Sequence, residues 1–361
     1  MAKKNILRVL MVGGRRCGKS TTLAAMWKNV NSVLGDTRLT LVPKNVEMFK
    51  AFSNKIDEIN FKYFLDFDPF EKVPINTEGT DSISRYEFEL GLMGSSEKLD
   101  LEFIDIPGEW YESDRGTTDD KERQRREDLM KEYIQTSDVY IIAIDTPCLM
   151  ENLKTHNGYG EYHNKANKAI EITENFKDIE VSTYQSKDFI FVPLKCERYY
   201  FENKMPQVVE CVKNGYYDLL SFLSSEKLKK DCTVSIMPII SLGGIEFQEF
   251  NGPMESPDES ANYIYTNGID SKLAPEFCEQ PLIAAIEFLI TKSMAYEPKQ
   301  KARSLMEWIK NILKRINFKS KSGTTFDLSE DFTYEIKKLH NKKITDESKG
   351  FVNVQKGNFG L

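Results

Sequence analysis

Short apolar runs separated by helical spacing dominate the first two thirds of the chain. Runs of strand length centre on Leu10, Phe88, Phe103, Ile142, Phe191 and Ile239. Strands that alternate with helices are typical of a doubly wound, mostly parallel sheet, so we expect the α/β class. Residues 86–105 break the alternation with two strand-like runs around a Gly-Ser-Ser turn. This pattern predicts an antiparallel hairpin that supplies an edge strand.

Residues 1–298 are predicted to form one α/β domain that carries two insertions. Residues from about 30 to 76 exceed a simple connection and have helical spacing, which predicts one or two inserted helices. Residues from about 249 to 270 are rich in turn-forming types and predict a loop insertion. The densely charged run Asp114–Gln135 predicts a mobile helix on a solvated face. No internal repeat is evident in the sequence.

The C-terminal part predicts helices and a polar tail. Pro281–Met294 is apolar and predicts a helix packed on the sheet. Residues 299–322 contain eight basic residues and one acidic residue, with apolar positions at helical spacing. This basic amphipathic helix is expected to pack on the protein's own body, and contact with an anionic membrane or with an acidic partner is the less favoured alternative. Residues 323–361 predict a polar tail with one short helix at Asp331–His340.

A phosphate-binding motif follows the first predicted strand. Gly13, Gly18, Lys19 and Ser20 fit G-x-x-x-x-G-K-[ST], with a strand before the motif and a helix after it. Glycines allow backbone N–H groups to curl around phosphate oxygens, and the helix N-terminus adds donors and a favourable dipole. Lys19 is expected to neutralise the β- and γ-phosphates, and Ser20 to bind Mg²⁺. The predicted nucleotide contacts here are Gly13, Gly14, Arg16, Cys17, Gly18, Lys19, Ser20 and Thr21.

A second motif, Asp105-Ile106-Pro107-Gly108, ends another predicted strand and fits D-x-x-G. Asp105 is expected to hold Mg²⁺ through water, and Gly108 to place its N–H at a γ-phosphate. Glu109 occupies the place where Ras-type GTPases have a water-orienting glutamine, and a carboxylate repels the developing phosphate charge. Hydrolysis is therefore expected to be slow. Arg15 is a candidate stabilising arginine in cis, and Arg16 is the alternative, although solvent exposure or a salt bridge to the charged helix also explains an arginine at either position.

A switch threonine is expected before the hairpin. Thr77 and Thr80 are the candidates, and Thr80 is preferred as the catalytic and metal-binding threonine because it lies closer to the strand start at Tyr86. Either threonine also fits an ordinary turn.

Two further segments predict contacts to a base. Lys195 and Glu197 follow a predicted strand where GTPases carry [NT]-K-x-D, with Leu194 in place of the amide or hydroxyl residue and Glu in place of Asp. A carboxylate there accepts from the two guanine donors that adenine lacks. The run Val234–Gly244 predicts a strand that ends near Ser241 and Leu242, whose backbone N–H groups are candidates for guanine O6. A surface Lys–Glu pair remains the alternative for Lys195 and Glu197.

The order of these motifs resembles the TRAFAC class of P-loop GTPases over roughly residues 5–245. The segment FIDIPGEW resembles D-Y-P-G-E-W of the bacterial YcjX-type stress GTPases, and VPLKCERY is similar to segments of the bacterial double-GTPase family. The resemblance implies GTP or GDP with Mg²⁺ and a switch that acts on a protein partner. It also implies a multi-gene bacterial stress or phage-defence system. Self-association is a second partner hypothesis.

Composition and cysteine usage bear on the class of partner and on the location of the protein. A net charge of −7 and a sequence pI near 5.4 argue against a nucleic-acid partner. The six scattered cysteines and the lack of a signal-peptide or membrane-span pattern predict a cytoplasmic protein. An ATP-dependent ATPase or phosphotransferase remains the alternative to a GTPase, and a nucleotide-locked structural subunit is a second alternative.

Overall fold

A single eight-stranded sheet forms the centre of the molecule, and a separate pair of strands lies beside it. The computed structural model describes residues 6–61, 64, 82–93, 98–112, 115–151, 166–184, 186–250, 261–295 and 328–357. The strands are β1 (Ile6–Val12), β2 (Leu39–Pro43), β3 (Ser84–Leu92), β4 (Lys98–Asp105), β5 (Val139–Asp145), β6 (Lys187–Leu194), β7 (Cys232–Ile236), β8 (Ile245–Phe250), β9 (Ala261–Tyr265) and β10 (Val352–Gln355).

Helices cover the sheet and include both long helices and single-turn connections. They are α1 (Lys19–Leu34), α2 (Val46–Asn60), α3 (Asp120–Thr136), α4 (Thr146–Met150), α5 (Ala169–Lys177), α6 (Glu197–Phe201), α7 (Met205–Gly215), α8 (Tyr217–Leu223), α9 (Gln280–Ala295) and α10 (Leu328–Asn341). No helix within the described ranges is long and apolar enough to cross a bilayer.

The strand order across the sheet is β10-β7-β6-β5-β1-β4-β3-β2. The pairs from β7 to β4 are parallel, whereas β3 runs antiparallel to both β4 and β2. The predicted doubly wound sheet and the predicted hairpin are therefore confirmed. The hairpin strand β3 is not the outermost strand, because β2 pairs along its free edge. At the other edge β10 pairs antiparallel with β7.

Alternating side chains of β1 show how the sheet builds two cores. Val9 and Met11 belong to one apolar cluster together with residues of α1 and α9. Leu10 and Val12 belong to a second cluster together with residues of α3, α5, α7 and α8. Because successive side chains of a strand point to opposite faces, the buried run of β1 serves both layers. Its carboxyl end is thereby held rigidly where the phosphate-binding motif begins.

The structure refines the predicted insertions. The helix expected within 30–76 is present as α2, but the same stretch also contains β2. The segment predicted as a loop at 249–270 includes the end of β8 and all of β9, which pair antiparallel around an aromatic cluster with Phe247 and Tyr263. The predicted strand near Ile239 ends earlier, at Ile236, although Ile239 N–H still donates to Pro193 O at 3.0 Å.

The C-terminal prediction of a polar tail is wrong for the described part of that segment. Helix α10 extends over the predicted short helix and buries Leu339, and β10 completes the sheet. The Gln280 amide holds this segment on α9, since it accepts from Ile344 N–H at 2.8 Å and donates to Lys342 O at 3.1 Å. The basic helix predicted at 299–322 lies outside the described residues.

Candidate functional site

The phosphate-binding motif forms a tight loop between the carboxyl end of β1 and the first turn of α1. Gly13 and Gly18 adopt φ angles of +153° and +106°, and Arg16 adopts +57°. A Cβ at Gly13 would lie 2.8 Å from Ala143 O, and one at Gly14 would lie 1.8 Å from Ala166 O. Gly13 is therefore required both by its conformation and by close backbone contact, Gly18 by its conformation, and Gly14 by close backbone contact.

Lys19 lies buried inside the curl of this loop. Its Nζ donates to Gly13 O and to Gly14 O, each at 2.9 Å. A buried ammonium needs such acceptors, because its desolvation is otherwise costly. The same position puts the charge of Lys19 at the mouth of the loop, beside the N-terminus of α1, where an anion is also favoured by the helix dipole.

Ser20 and Asp105 form the pair expected of a magnesium site. Ser20 Oγ donates to Asp105 Oδ2 at 2.7 Å across the ends of α1 and β4. The second oxygen, Asp105 Oδ1, is buried and has no hydrogen-bond partner among the described residues. Burial raises the pKa of Asp105, and the charge of Lys19 and the bond from Ser20 oppose that shift. A hydroxyl beside an unsatisfied carboxylate oxygen fits the oxygen ligands that Mg²⁺ prefers.

Gly108 brings the D-x-x-G segment directly onto the phosphate-binding loop. A Cβ at Gly108 would lie 2.2 Å from Arg15 N and 2.3 Å from Gly14 C. No side chain fits between the two segments at this point. The structure therefore places the predicted γ-phosphate sensor in contact with the predicted phosphate-binding loop.

Glu109 contacts the helix that follows the D-x-x-G segment. Its Oε1 lies 3.7 Å from Arg126 Nη1 of α3, and its side chain packs against Gly116. Arg126 also donates to Arg115 O at 2.7 Å and lies 5.4 Å from the Trp110 ring centroid. This arginine of α3 thus organises the segment after the D-x-x-G motif.

The remaining predicted residues of the phosphate-binding loop differ in exposure. Arg15 is exposed and Arg16 is half-buried in a left-handed backbone conformation. Cys17 is buried, and burial raises the pKa of its thiol, so the residue acts as a small apolar side chain. Thr21 is half-buried and lines a groove together with Ser241 and Leu242.

Glu197 and the Ser241–Gly243 loop, which the sequence predicts at a base, lie together. Glu197 is buried, and its Oε1 accepts from Leu242 N–H at 3.0 Å and from Gly243 N–H at 3.3 Å. Burial raises the pKa of Glu197, and backbone hydrogen bonds from this loop oppose the shift. The predicted base-contacting carboxylate is thus bonded to the predicted base-contacting loop, and a surface Lys–Glu pair is not what the structure contains.

Lys195 joins the predicted base side of the site to the end of β5. Its Nζ donates to Asp145 Oδ2 and lies 6.0 Å from the ring centroid of Tyr263 on β9. Its φ angle of +57° is unusual for a lysine and reflects the sharp turn after β6. Burial would lower the pKa of Lys195, but Asp145 outweighs it and holds the pKa well above the usual value.

The sequence interpretation missed Asp145, Asn167 and Tyr263. Asp145 ends β5 in the same way that Asp105 ends β4, so its position was available as a signal. Asn167 and Tyr263 lie in segments without a motif, and only the packing of the chain brings them to the site. The predicted switch threonines, Thr77 and Thr80, lie outside the described residues.

The strand order and the loop geometry together define an α/β, P-loop GTPase-like fold. No family model matches the chain, and no curated protein matches it.

Among solved structures, the chain is similar to the Ski7 GTPase-like domain of S. cerevisiae bound to GTP. The identity is 16%, the match covers 66% of this chain and 43% of that chain, and the TM-score is 0.37. The same domain bound to GDP and inorganic phosphate matches with the same coverage at 17% identity and a TM-score of 0.31. The chain thus spans less than half the length of these two neighbours.

Proposed function

We propose that this chain binds a purine nucleoside triphosphate with Mg²⁺ and hydrolyses GTP slowly, as a switch that acts on a protein partner. The observation that carries the proposal is the arrangement of Lys19, Ser20 and Asp105. The ammonium lies inside a glycine loop, and a hydroxyl lies 2.7 Å from a carboxylate whose other oxygen is unsatisfied among the described residues. A triphosphate supplies anionic oxygens for the ammonium, and a divalent cation supplies a partner for the hydroxyl and carboxylate oxygens.

The proposed binding exchanges contacts within the loop. Backbone N–H groups between Gly13 and Ser20 would face the phosphate oxygens, and Lys19 would turn from the carbonyls of the loop towards the β- and γ-phosphates. Ser20 and Asp105 would hold Mg²⁺, which neutralises phosphate charge when bound. Gly108 would contact the γ-phosphate through its N–H.

Slow hydrolysis follows from the surroundings of Glu109. Its carboxylate lies 3.7 Å from Arg126 on α3, and a carboxylate cannot donate to the charge that develops on the γ-phosphate. Arg15 is exposed beside that loop and is the group proposed to offset the γ-phosphate charge in cis. A partner that moves Glu109 or adds a positive charge would accelerate the reaction.

Nucleotide binding by the purified full chain tests the proposal. The expected result is Mg²⁺-dependent binding of a fluorescent guanine nucleotide that Lys19→Ala abolishes. Lys227→Ala is a matched control, since Lys227 is exposed and precedes β7 at the opposite end of the parallel strands. Binding that survives Lys19→Ala unchanged would refute the proposal.

A second candidate is a nucleotide site without preference for guanine, as in an ATPase or a phosphotransferase. The bonds from Leu242 N–H and Gly243 N–H to Glu197 favour it, because they give the carboxylate a structural partner. Competition of GTP and ATP against the fluorescent nucleotide separates the two candidates. A GTP preference of at least tenfold supports the switch, and equal competition supports the second candidate.

The partner and the biological system are proposed from the resemblance alone. The FIDIPGEW and VPLKCERY segments support a multi-gene bacterial stress or phage-defence system, with a TRAFAC-class GTPase as its switch. Co-purification from the native cell with a GTP analogue or with GDP tests this proposal. A partner that is retained only with the GTP analogue is the expected result, and equal retention with both nucleotides would contradict it.

A further inference from the structure

The segment that leads into α5 lies against the phosphate-binding loop. Ala166 O approaches Gly14 so closely that a Cβ at Gly14 would lie 1.8 Å from it. The Cγ of Lys168 would lie 3.6 Å from the same position, and Lys168 adopts a left-handed φ of +51°. Residues 166–168 therefore form a wall beside Gly14, and that wall is fixed by tight backbone geometry.

Asn167, in the middle of this wall, is fully buried and bonds both backbone groups of one residue. Its Oδ1 accepts from Asp145 N–H at 2.7 Å, and its Nδ2 donates to Asp145 O at 3.1 Å. The Asp145 carboxylate in turn accepts from Cys148 N–H at 3.0 Å and from Lys195 Nζ. Hydrogen bonds to the backbone and to the carboxylate of Asp145 thus connect Asn167, beside Gly14, to Lys195 on the predicted base side.

Leu194 supplies no such connection. The position before Lys195 carries an apolar side chain whose Cδ1 would lie 3.3 Å from a Cβ at Gly18. A leucine packs against the phosphate-binding loop there but offers it no hydrogen bond. Any polar link between the loop and the predicted base side therefore comes from another residue.

We propose that Asn167 is a positioning residue of the nucleotide site. Its amide fixes Asp145, and through Asp145 it fixes Lys195, while the adjoining Ala166 carbonyl packs against Gly14. Asn167 thereby couples the phosphate-binding loop to the base side, which Leu194 cannot do. This inference rests on the proposed nucleotide binding.

Nucleotide dissociation from the full chain tests the inference. Asn167→Ala is expected to speed dissociation of a fluorescent guanine nucleotide about 10- to 100-fold, since two buried hydrogen bonds are lost and each is worth roughly tenfold. Gln280→Ala is the matched control, because the Gln280 amide also makes two hydrogen bonds to the backbone. Its partners, Lys342 and Ile344, belong to the C-terminal segment and not to the nucleotide site. This control is expected to lower thermal stability to a similar extent and to leave dissociation unchanged.

Rescue separates positioning from general destabilisation. An asparagine at position 194 would face the loop near Gly18, so adding Leu194→Asn to Asn167→Ala is expected to slow dissociation again by at least fivefold. Dissociation as slow as in the wild type for Asn167→Ala, or a loss that Leu194→Asn does not reduce, would overturn the inference. If Asn167→Ala does not fold, Asn167→Ser is judged by the same two criteria.

The proposed function and this inference fail in different ways. If the wild-type chain binds no nucleotide, the proposed function fails and this inference fails with it. If the wild type binds and Asn167→Ala behaves as Gln280→Ala does, only the inference fails.

Discussion

The Glu197 carboxylate offers a direct way to separate a structural role from base selection. It is buried at the start of α6, and its Oε1 accepts from Leu242 N–H at 3.0 Å and from Gly243 N–H at 3.3 Å. Glu197→Ala removes this acceptor and leaves two backbone donors facing an apolar side chain. Glu197→Gln keeps an acceptor oxygen and removes only the charge.

The contacts set the size of the expected effect. A hydrogen bond to a charged group contributes about 1.5–3 kcal/mol, and the longer bond from Gly243 lies at the weak end of this range. Burial raises the pKa of Glu197, so its removal also relieves a desolvation cost. We expect Glu197→Ala to lower the free energy of unfolding by about 2–4 kcal/mol and Glu197→Gln by about 1 kcal/mol.

Urea unfolding without nucleotide at neutral pH measures this loss. Glu202→Ala is the control directly after the same helix, because Glu202 is exposed and pairs with Arg198 and Lys204 at the surface. Such exposed ion pairs contribute about 0–1 kcal/mol. If Glu197→Ala unfolds at the same urea concentration as Glu202→Ala, the carboxylate does not hold the Ser241–Gly243 loop and the geometric argument is wrong.

Nucleotide affinity then tests base selection in the same variants. If guanine donors also use this carboxylate, Glu197→Ala should weaken GTP binding by about 1–3 kcal/mol and leave ATP binding nearly unchanged. Equal losses for GTP and ATP would show that Glu197 acts only on the loop. In that case the nucleotide site without guanine preference would become the better account of the function.

Three further perturbations test other parts of the molecule. Gly108→Ala would put a Cβ 2.2 Å from Arg15 N. We therefore expect the free energy of unfolding, measured in urea, to fall by about 1–3 kcal/mol. A variant as stable as the wild type would contradict the close contact. Single-turnover GTP hydrolysis by the purified chain should be slower than about 1 s⁻¹, and Arg15→Ala should slow it further. A rate that changes only in Glu109→Ala would instead make Glu109 the water-positioning residue. Burial raises the pKa of Asp188 to about 6, above the value of about 3.9 in an unfolded chain. Between these two pH values the folded protein binds a proton that the unfolded chain does not. The free energy of unfolding of the wild type should therefore rise relative to that of Asp188→Asn as the pH falls from 7 to 5. A difference between the two proteins that stays constant with pH would refute this.

The central part of the fold could be predicted because its signals are local. The apolar run that ends at Val12, the glycine loop and the helix that starts at Lys19 follow one another directly, and the structure contains them in that order. Asp105 lies at the end of its strand and contacts Ser20, as the two motifs imply when parallel strands end at one edge.

The edges of the sheet could not be predicted, because they depend on pairing between distant segments and not on local signals. The strand β10 has only four residues, none of them fully buried, and its existence depends on pairing with β7 more than a hundred residues earlier. The short strand β2 is likewise defined by its pairing with β3. Nothing local distinguishes such segments from a polar tail or a connecting loop.

The candidate site also combines residues that local spacing identifies with contacts that only long-range packing creates. Lys19, Ser20 and Gly108 are identified by spacing, and the structure brings them together. The partners of Glu197 are not identifiable, because its acceptor role towards Leu242 depends on the path of a loop 45 residues later. Base contacts in such a site are set by long-range packing, whereas phosphate contacts are set by a continuous motif.

The internal bonds of the site determine where binding energy would come from. Lys19 bonds two carbonyls, and Glu197 bonds two N–H groups, so a nucleotide must replace these bonds and gains only the difference. Asp105 Oδ1 differs, since it is buried with no partner among the described residues and a cation there would relieve a cost already present. Affinity should therefore be concentrated at the phosphates and the metal. The base would contribute only as far as guanine donors bond Glu197 better than the backbone of its own loop does.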